Sequence, residues 1–160
     1  MSKNLKTEHS KYTILVVDDE QLIRDLIASF LAKLGHTCIT ATDGVDALNQ
    51  LKEKKVDAVI TDIKMPNMDG IMLTGELSSQ YSDLPVMVMT AFDEEYSAGI
   101  AISIGAREFI KKPFSLDEFA IRLHKMINDS EAIKRLKRKE DGEEDLQELM
   151  EELEQSLKKG

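Results

Sequence analysis

Short apolar runs alternate with longer amphipathic stretches between residues 12 and 128. The apolar runs cover residues 13–17, 37–41, 58–61, 86–89 and 108–111. Brief apolar runs bounded by polar segments are typical of buried strands, and the spacing leaves room for one helix after each of them. Five strand–helix units predict an α/β fold with a parallel sheet covered by helices on both faces, and right-handed crossovers determine most of its topology.

The stretches between the runs have helical periodicity. A first helix over residues 21–34 places six apolar side chains on one stripe and ends at Gly35. The six are Ile23, Leu26, Ile27, Phe30, Leu31 and Leu34. A second helix is marked by Val45, Leu48 and Leu51, and two more are expected over 71–80 and 94–104. A fifth begins at the capping box Ser115-Leu116-Asp117-Glu118.

Charged and hydroxyl side chains follow four of the five predicted strands. Asp18 and Asp19 follow the first, Asp62 the third, Thr90 the fourth and Lys112 the fifth. In open α/β sheets the ligand binds outside the carboxyl ends of the strands, so we expect these groups to share one site. Three neighbouring carboxylates repel one another and therefore favour a divalent cation. The site is predicted to handle a phosphoryl group with magnesium.

Composition narrows the classes of function. The 160 residues carry a net charge of −9 and a pI of about 4.9, which disfavours nonspecific binding to nucleic acid or anionic membrane. A single cysteine, Cys38, excludes an intramolecular disulfide and fits a reducing cytosol. The three histidines are scattered, which argues against a histidine metal site. Residues 1–11 are polar, and no stretch is apolar enough to span a bilayer, so we expect neither a signal peptide nor membrane insertion and a cytoplasmic location.

Four segments together carry a family resemblance. They are Val16-Val17-Asp18-Asp19-Glu20, Thr61-Asp62-Ile63-Lys64-Met65-Pro66-Asn67-Met68-Asp69-Gly70, Met89-Thr90-Ala91 and Lys112-Pro113-Phe114. An acidic pair after a strand is common, but four such segments in this order are specific. The chain resembles the receiver domain of bacterial two-component response regulators. That resemblance covers residues 12–128 and implies a flavodoxin-like fold with five parallel strands in the order 2-1-3-4-5 and five flanking helices.

The resemblance implies a role for each residue at the sheet edge. Asp62 is the phosphoacceptor, and Asp19, Asp62 and the backbone carbonyl of Lys64 bind Mg²⁺ directly. Asp18 acts mostly through metal-bound water, since Mg²⁺ retains several waters in proteins. Lys112 pairs with a phosphoryl oxygen. The phosphodonor is a sensor histidine kinase, a phosphotransfer protein or a small molecule. The alternative for the acids is that they only cap helices.

Four more residues receive roles by the same resemblance. Thr90 and Phe109 form the switch: the Thr90 hydroxyl binds the new phosphoryl group, and Phe109 turns into the space that Thr90 vacates. Lys64 and Phe92 occupy the two positions that tune the lifetime of the phosphoryl group. Neither carries a carboxylate or amide that could orient an attacking water, so loss of the phosphoryl group is expected to be slow. The alternatives are that Phe109 is a plain core aromatic and that Lys64 and Phe92 are ordinary loop residues. The Lys112–Pro113 bond is expected to be cis.

We expect three segments along the chain. Residues 1–11 form a polar, disordered lead, residues 12–129 form the receiver domain, and residues 130–160 form a charged helical tail. The tail is too short for a helix-turn-helix module or an enzyme, which predicts a stand-alone receiver. The fourth helix, fifth strand and fifth helix of the receiver domain would form the face that binds a downstream protein.

The tail changes the sign of its charge halfway along. Residues 133–139 are rich in Lys and Arg, whereas residues 140–154 contain no basic residue. Leu146, Met150, Leu153 and Leu157 then recur with heptad spacing. Two interpretations stay open: a frayed, solvated amphipathic helix, or an interaction element that supports self-association or partner binding.

Two other classes of function compete with the signalling switch. An aspartate-nucleophile phosphohydrolase would usually carry a second acid two residues after the nucleophile, and Lys64 occupies that position. A structural adaptor that is not phosphorylated would not need the complete set of acids, threonine and lysine found here. The set therefore favours a phosphoacceptor over both rivals.

Overall fold

The computed structural model describes residues 11–91, 93–140 and 146–159. Its sheet contains five parallel strands: β1 Thr13–Val17, β2 Thr37–Ala41, β3 Ala58–Asp62, β4 Val86–Thr90 and β5 Glu108–Lys111. Their order is β2-β1-β3-β4-β5, which confirms the predicted flavodoxin-like topology. The predicted disordered lead falls almost wholly on residues 1–10, outside the described residues.

Six helices occur among the described residues. They are α1 Gln21–Lys33, α2 Gly44–Glu53, α3 Gly70–Gln80, α4 Glu95–Ser103, α5 Leu116–Glu140 and α6 Leu146–Lys159. One predicted core position is wrong: Leu26 of α1 is exposed, although Ile27 and Leu31 are fully buried. Successive helical residues are rotated by about 100°, so Leu26 lies well off the stripe centred on Ile27.

The sheet has a separate core on each face because successive strand residues point in opposite directions. Ile14 and Val16 of β1 pack in a cluster with Ile27 of α1 and Phe119 of α5. Leu15 and Val17 pack on the other face in a cluster with side chains of α2 and α3, namely Ala47, Leu51, Leu73 and Leu77. Ala101 of α4 joins Val88 of β4 in a smaller cluster. Helices therefore cover both faces, and the carboxyl edge remains available for the site.

Two histidines that are distant in sequence meet on one side of the sheet. The Nε2 atoms of His36 and His124 are 2.9 Å apart, and the Tyr12 backbone N–H donates to Nδ1 of His36 at 3.2 Å. His36 directly precedes β2, whereas His124 belongs to α5. The pair therefore ties α5 to the amino-terminal edge of the sheet, opposite the edge that carries the acids.

Side-chain caps begin three of the helices. Asp43 accepts from the backbone N–H of Asp46 at 2.8 Å, Asp69 from that of Met72 at 2.8 Å, and the Ser115 hydroxyl from that of Glu118 at 3.1 Å. Each bond satisfies an N–H that lacks a helical partner. The Ser115 bond is the first half of the predicted capping box, whereas the Glu118 carboxylate accepts from Arg122 at 3.1 Å.

The chain divides into two compact units, residues 1–127 and residues 128–160. Helix α5 continues through the basic run to Glu140. Helix α6 carries the predicted seam, and its Met150, Leu153 and Leu157 are exposed. Gly142, where the charge changes sign, lies outside the described residues. Among the residues that are described, no helix has the length and apolar character needed to cross a bilayer.

Candidate phosphoryl and metal site

Strand register brings the three predicted acids together. Val17 of β1 and Thr61 of β3 are paired across the sheet, so the next residues, Asp18 and Asp62, emerge side by side at the carboxyl edge. Carboxylate oxygens of Asp18, Asp19 and Asp62 lie within 4.8 Å of one another. Asp18 and Asp62 are buried, whereas Asp19 is exposed. The cluster therefore has a buried floor and one acid open to water.

The surroundings of Asp18 change its pKa strongly. Burial, with the Asp62 and Asp19 charges adding to it, raises the pKa of Asp18 to about 6 against the lowering effects of the Glu20 backbone N–H and Lys112. Its Oδ1 accepts from the Glu20 backbone N–H at 2.9 Å, while Oδ2 is buried with no hydrogen-bond partner in the described part of the chain. A buried oxygen of this kind requires a cation or a donor. The acids therefore fit Mg²⁺, which prefers carboxylate and water ligands.

Lys112 reaches the acids from the end of β5. Its backbone N–H donates to the Thr90 carbonyl at 2.8 Å, which continues the pairing of β4 with β5. Its Nζ lies 3.0 Å from Oδ1 of Asp62 and 3.9 Å from Oδ2 of Asp18. Burial alone would lower the pKa of Lys112, but the hydrogen bond and charge of Asp62 outweigh it and raise that pKa. The ammonium is thus a fixed positive charge, and the Lys112–Pro113 bond is cis, as predicted.

Thr90 and Phe109 occupy different environments. Thr90 is buried, and its hydroxyl is 3.5 Å from the Ile110 carbonyl. The Phe109 side chain is 37% exposed, with the Arg122 guanidinium 5.9 Å from its ring centroid. The alternative that Phe109 is a plain core aromatic is therefore wrong, because the neighbour Ile110 takes the buried side of β5.

Lys64 faces acids that were not anticipated. Its Nζ lies 3.9 Å from Asp93 and 4.0 Å from Glu94. Glu94 is buried and accepts the Ala91 backbone N–H at 2.7 Å, so it braces the segment after Thr90. The acidic run after Thr90, opposite in charge to Lys64, is the sequence signal for this contact. Phe92, the other predicted lifetime residue, lies outside the described residues.

A second unanticipated contact holds the segment that follows Asp62. Asn67 has a positive φ of 66° and donates from Nδ2 to Asp43 Oδ2 at 2.7 Å. The backbone N–H of Gly44 donates to the Met68 carbonyl at 3.2 Å. Asn between Pro and Met-Asp-Gly is a turn signal, but its partner 24 residues earlier in the chain could not be read from the sequence.

Gly70 closes the same segment. Its backbone N–H donates to the Ile63 carbonyl at 2.7 Å. A Cβ at this position would collide with the carbonyl oxygen of Asp62. The close approach of α3 to the strand end that carries Asp62 therefore requires glycine.

Curated proteins with similar sequences are regulators. The alkaline phosphatase synthesis transcriptional regulatory protein PhoP of Bacillus subtilis (strain 168) is 36% identical over 118 residues, which are 74% of this chain and 49% of that protein. The response regulator MprA of Mycobacterium sp. (strain KMS) is 35% identical over 114 residues, which are 71% of this chain and 50% of MprA. The chain thus spans about half the length of the curated relatives it matches.

Solved structures and a family model also match receiver domains of response regulators. The receiver domain of NtrX from Brucella abortus superposes with a TM-score of 0.70 at 36% identity, over 72% of this chain and 98% of that one. A response regulator receiver domain protein from Clostridium thermocellum superposes at 0.69 with 30% identity, over 78% and 98% of the two chains. The model of the response regulator receiver domain matches residues 14–128. The resemblance carried by the four motifs is confirmed, and the chain belongs to the response regulator receiver domain family.

Proposed function

We propose that this receiver is a signalling switch that accepts a phosphoryl group on Asp62 in a magnesium-dependent reaction. One observation carries the proposal: the Lys112 ammonium contacts Asp62 at 3.0 Å inside a cluster that includes Asp18 and Asp19. Structural caps do not require a partly buried ammonium beside three acids. A phosphoryl acceptor does, because an anionic nucleophile and an anionic substrate must approach each other.

The chain itself supplies the nucleophile and most of the positioning. A carboxylate oxygen of Asp62 forms the new bond to phosphorus, and the bond from phosphorus to the leaving group breaks. Lys112 holds Asp62 before transfer and pairs with a phosphoryl oxygen after it. Asp18, Asp19, Asp62 and the Lys64 carbonyl would hold Mg²⁺, which neutralises charge on the transferring group. Asp18 accepts the Glu20 N–H and is thereby held toward the cluster.

The proposed switch couples the site to the opposite side of β5. The Thr90 carbonyl accepts the Lys112 backbone N–H, so Thr90 lies beside the strand end from which Lys112 reaches Asp62. The Thr90 hydroxyl exchanges its long contact with Ile110 for the phosphoryl oxygen, and Phe109 repacks beneath Arg122. Phe109 has no hydroxyl and signals by packing alone. The face formed by α4, β5 and the first part of α5 then binds a downstream protein.

The proposed donor is a sensor histidine kinase or phosphotransfer protein, with small phosphodonors as substitutes. The two curated relatives carry names of regulators, one of them transcriptional, and each is about twice the length matched here. For this chain the net charge of −9 still argues against direct binding of nucleic acid. Its output is proposed to be a protein contact.

Acetyl phosphate with Mg²⁺, followed by intact mass measurement, tests the acceptor. The parent chain should gain one phosphoryl group, and Asp62→Asn should gain none. Asp93→Asn is the matched control, since it removes an exposed carboxylate near the site and should label normally. Equal labelling of Asp62→Asn would place the acceptor elsewhere. Sustained turnover of a generic phosphate ester would instead favour the phosphohydrolase.

The proposed lifetime of the phosphoryl group is long, because Lys64 and Phe92 offer no carboxylate or amide to orient water. Phe92→Glu should speed the loss of the phosphoryl group, measured as the decay of the phosphorylated mass after the donor is removed. Tyr96→Glu provides the control, since it introduces the same acid at an exposed position further along. An unchanged decay rate in Phe92→Glu contradicts the role given to this position.

A further inference from the structure

The end of α5 presents apolar side chains within a strongly basic surface. Ile133 and Leu136, three residues apart on one helical face, are 37% and 61% exposed. Around them α5 carries five cations: Lys134, Arg135, Lys137, Arg138 and Lys139. We call this surface, with Ile133 and Leu136 at its centre and the cations around them, the basic stripe. An exposed apolar pair on a charged helix needs a cover to be favourable in water.

Helix α6 has the opposite character. Met150, Leu153 and Leu157 follow one another at spacings of three and four, and they are 52%, 62% and 73% exposed. The helix also carries four exposed glutamates: Glu148, Glu151, Glu152 and Glu154. We call this surface, with Met150, Leu153 and Leu157 at its centre and the four glutamates around them, the acidic seam. Its shape and spacing suit another helix, since this is the repeat that packs helices side by side.

The two surfaces match in polarity and are opposite in charge, yet the unit that contains both of them does not cover the seam. Glu152 shares an open groove of about 460 Å³ with Arg135, Leu136 and Lys139, so this one α6 acid lies near α5 cations of its own chain. The seam residues nevertheless keep more than half of their surface exposed. Within the unit that begins at residue 128 the seam is therefore left open to another molecule.

We infer that this molecule is a second copy of the chain, with the acidic seam of each copy packed on the basic stripe of the other. Pairing α6 with α6 would oppose the two sets of glutamates, whereas pairing α6 with the end of α5 neutralises them. The crossed arrangement is reciprocal, as two-fold symmetry requires, so every contact occurs twice. It buries five apolar side chains per copy. So small an interface makes a weak, concentration-dependent dimer.

This inference is independent of the phosphoryl chemistry. It can be tested on the unphosphorylated chain without Mg²⁺, so its failure would leave the proposed function untouched. Sedimentation velocity over a range of protein concentrations should show a monomer–dimer equilibrium. The double variant Met150→Ser, Leu153→Ser should weaken the dimer at least tenfold. The matched control is Met72→Ser, Leu22→Ser, which removes one methionine and one leucine that lie outside the tail and are at least as exposed, and it should leave the equilibrium unchanged.

Charge inversion distinguishes a second copy from other covers. In one variant the four α6 glutamates become lysine, and in the other Lys134, Arg135, Lys137 and Arg138 become glutamate. Each variant alone should be monomeric, because its seam and stripe now repel. An equimolar mixture should form heterodimers, since each seam meets an opposite stripe. Circular dichroism verifies that both variants keep their helices. A parent chain that stays monomeric at every concentration, or variants that dimerise alone, overturns the inference.

Discussion

Asp18 carries an unfavourable charge in the metal-free chain. Its carboxylate is fully buried and one of its oxygens accepts no hydrogen bond, and burial is the main cause of its raised pKa of about 6. A pKa above the unfolded value of 3.8 means that folding favours the protonated acid. The resulting contribution to stability is complete below about pH 4 and is lost as the pH rises to 6. At neutral pH the buried Asp18 carboxylate therefore destabilises the fold, and a bound cation would offset that cost.

Asp18→Asn should remove this cost. Without Mg²⁺ at pH 7.5, urea unfolding should show a free energy of unfolding higher than the parent by about 3 kcal/mol, and the difference should vanish near pH 4. With saturating Mg²⁺ the parent should recover, since the carboxylate then has its cation. Asp25→Asn, an exposed change on α1, should alter neither profile. A variant less stable than the parent at pH 7.5 without Mg²⁺ contradicts the prediction.

The hydrogen bond between Asn67 and Asp43 holds the segment that follows Asp62. The Asp46 backbone N–H first, and then the Asn67 amide, lower the pKa of Asp43, so its charge is favoured in the folded state. Asn67→Asp replaces the amide that now donates to Asp43 at 2.7 Å by a second carboxylate, which repels the first. The change should cost about 1–3 kcal/mol and weaken Mg²⁺ binding, because this segment carries Lys64. Exchanging both residues, Asp43→Asn with Asn67→Asp, restores a donor and an acceptor.

Urea unfolding and Mg²⁺ titration should therefore rank the variants in one order. The exchanged pair should lie close to the parent, Asn67→Gly should be intermediate because it keeps the positive φ but loses the amide, and Asn67→Asp alone should be worst. Failure of the exchange to restore Mg²⁺ affinity would show that the contact only stabilises the fold.

At the scale of elements, α3 is held against the strand end that carries Asp62. Gly70→Ala should destabilise the chain by about 1–3 kcal/mol, because the new methyl group meets the Asp62 carbonyl and must push α3 away. Gly75→Ala on the same helix meets its nearest atom, in Ile104, at an ordinary 3.8 Å and should stabilise by up to about 1 kcal/mol. Denaturant unfolding of both variants checks the prediction, and similar effects of the two substitutions contradict it.

The elements themselves were predictable, whereas contacts between their loops were not. The central strands β1, β3 and β4 are buried and are visible as continuous apolar runs, and each acid of the site lies at the end of one of them. The edge strands β2 and β5 are partly exposed and were visible from their position between helical stretches. The burial of Glu94 and the partner of Asn67 depend on how two loops meet in space. Phe109 is outward because β5 lies at the sheet edge in the observed order, where a side chain can contact Arg122 instead of a core.

At the scale of the whole molecule, the site and the tail belong to different units. Asp18, Asp19, Asp62, Thr90 and Lys112 all lie in the unit that ends at residue 127, as do the core clusters that position them. The basic stripe and the acidic seam both lie in the unit that begins at residue 128. Chemistry at the sheet edge should therefore survive loss of the tail.

Truncation after Ser130 tests this separation. The shortened chain should label at Asp62 with acetyl phosphate at the parental rate and bind Mg²⁺ with parental affinity, because no site residue is removed. Its sedimentation should become that of a monomer at all concentrations, since both the stripe and the seam are lost. Truncation after Lys139 keeps the stripe but removes the seam. It should also be monomeric, because the crossed dimer needs both surfaces. A truncated chain that labels normally but still dimerises would locate self-association on the receiver unit, whereas one that no longer labels would show that the tail supports the site.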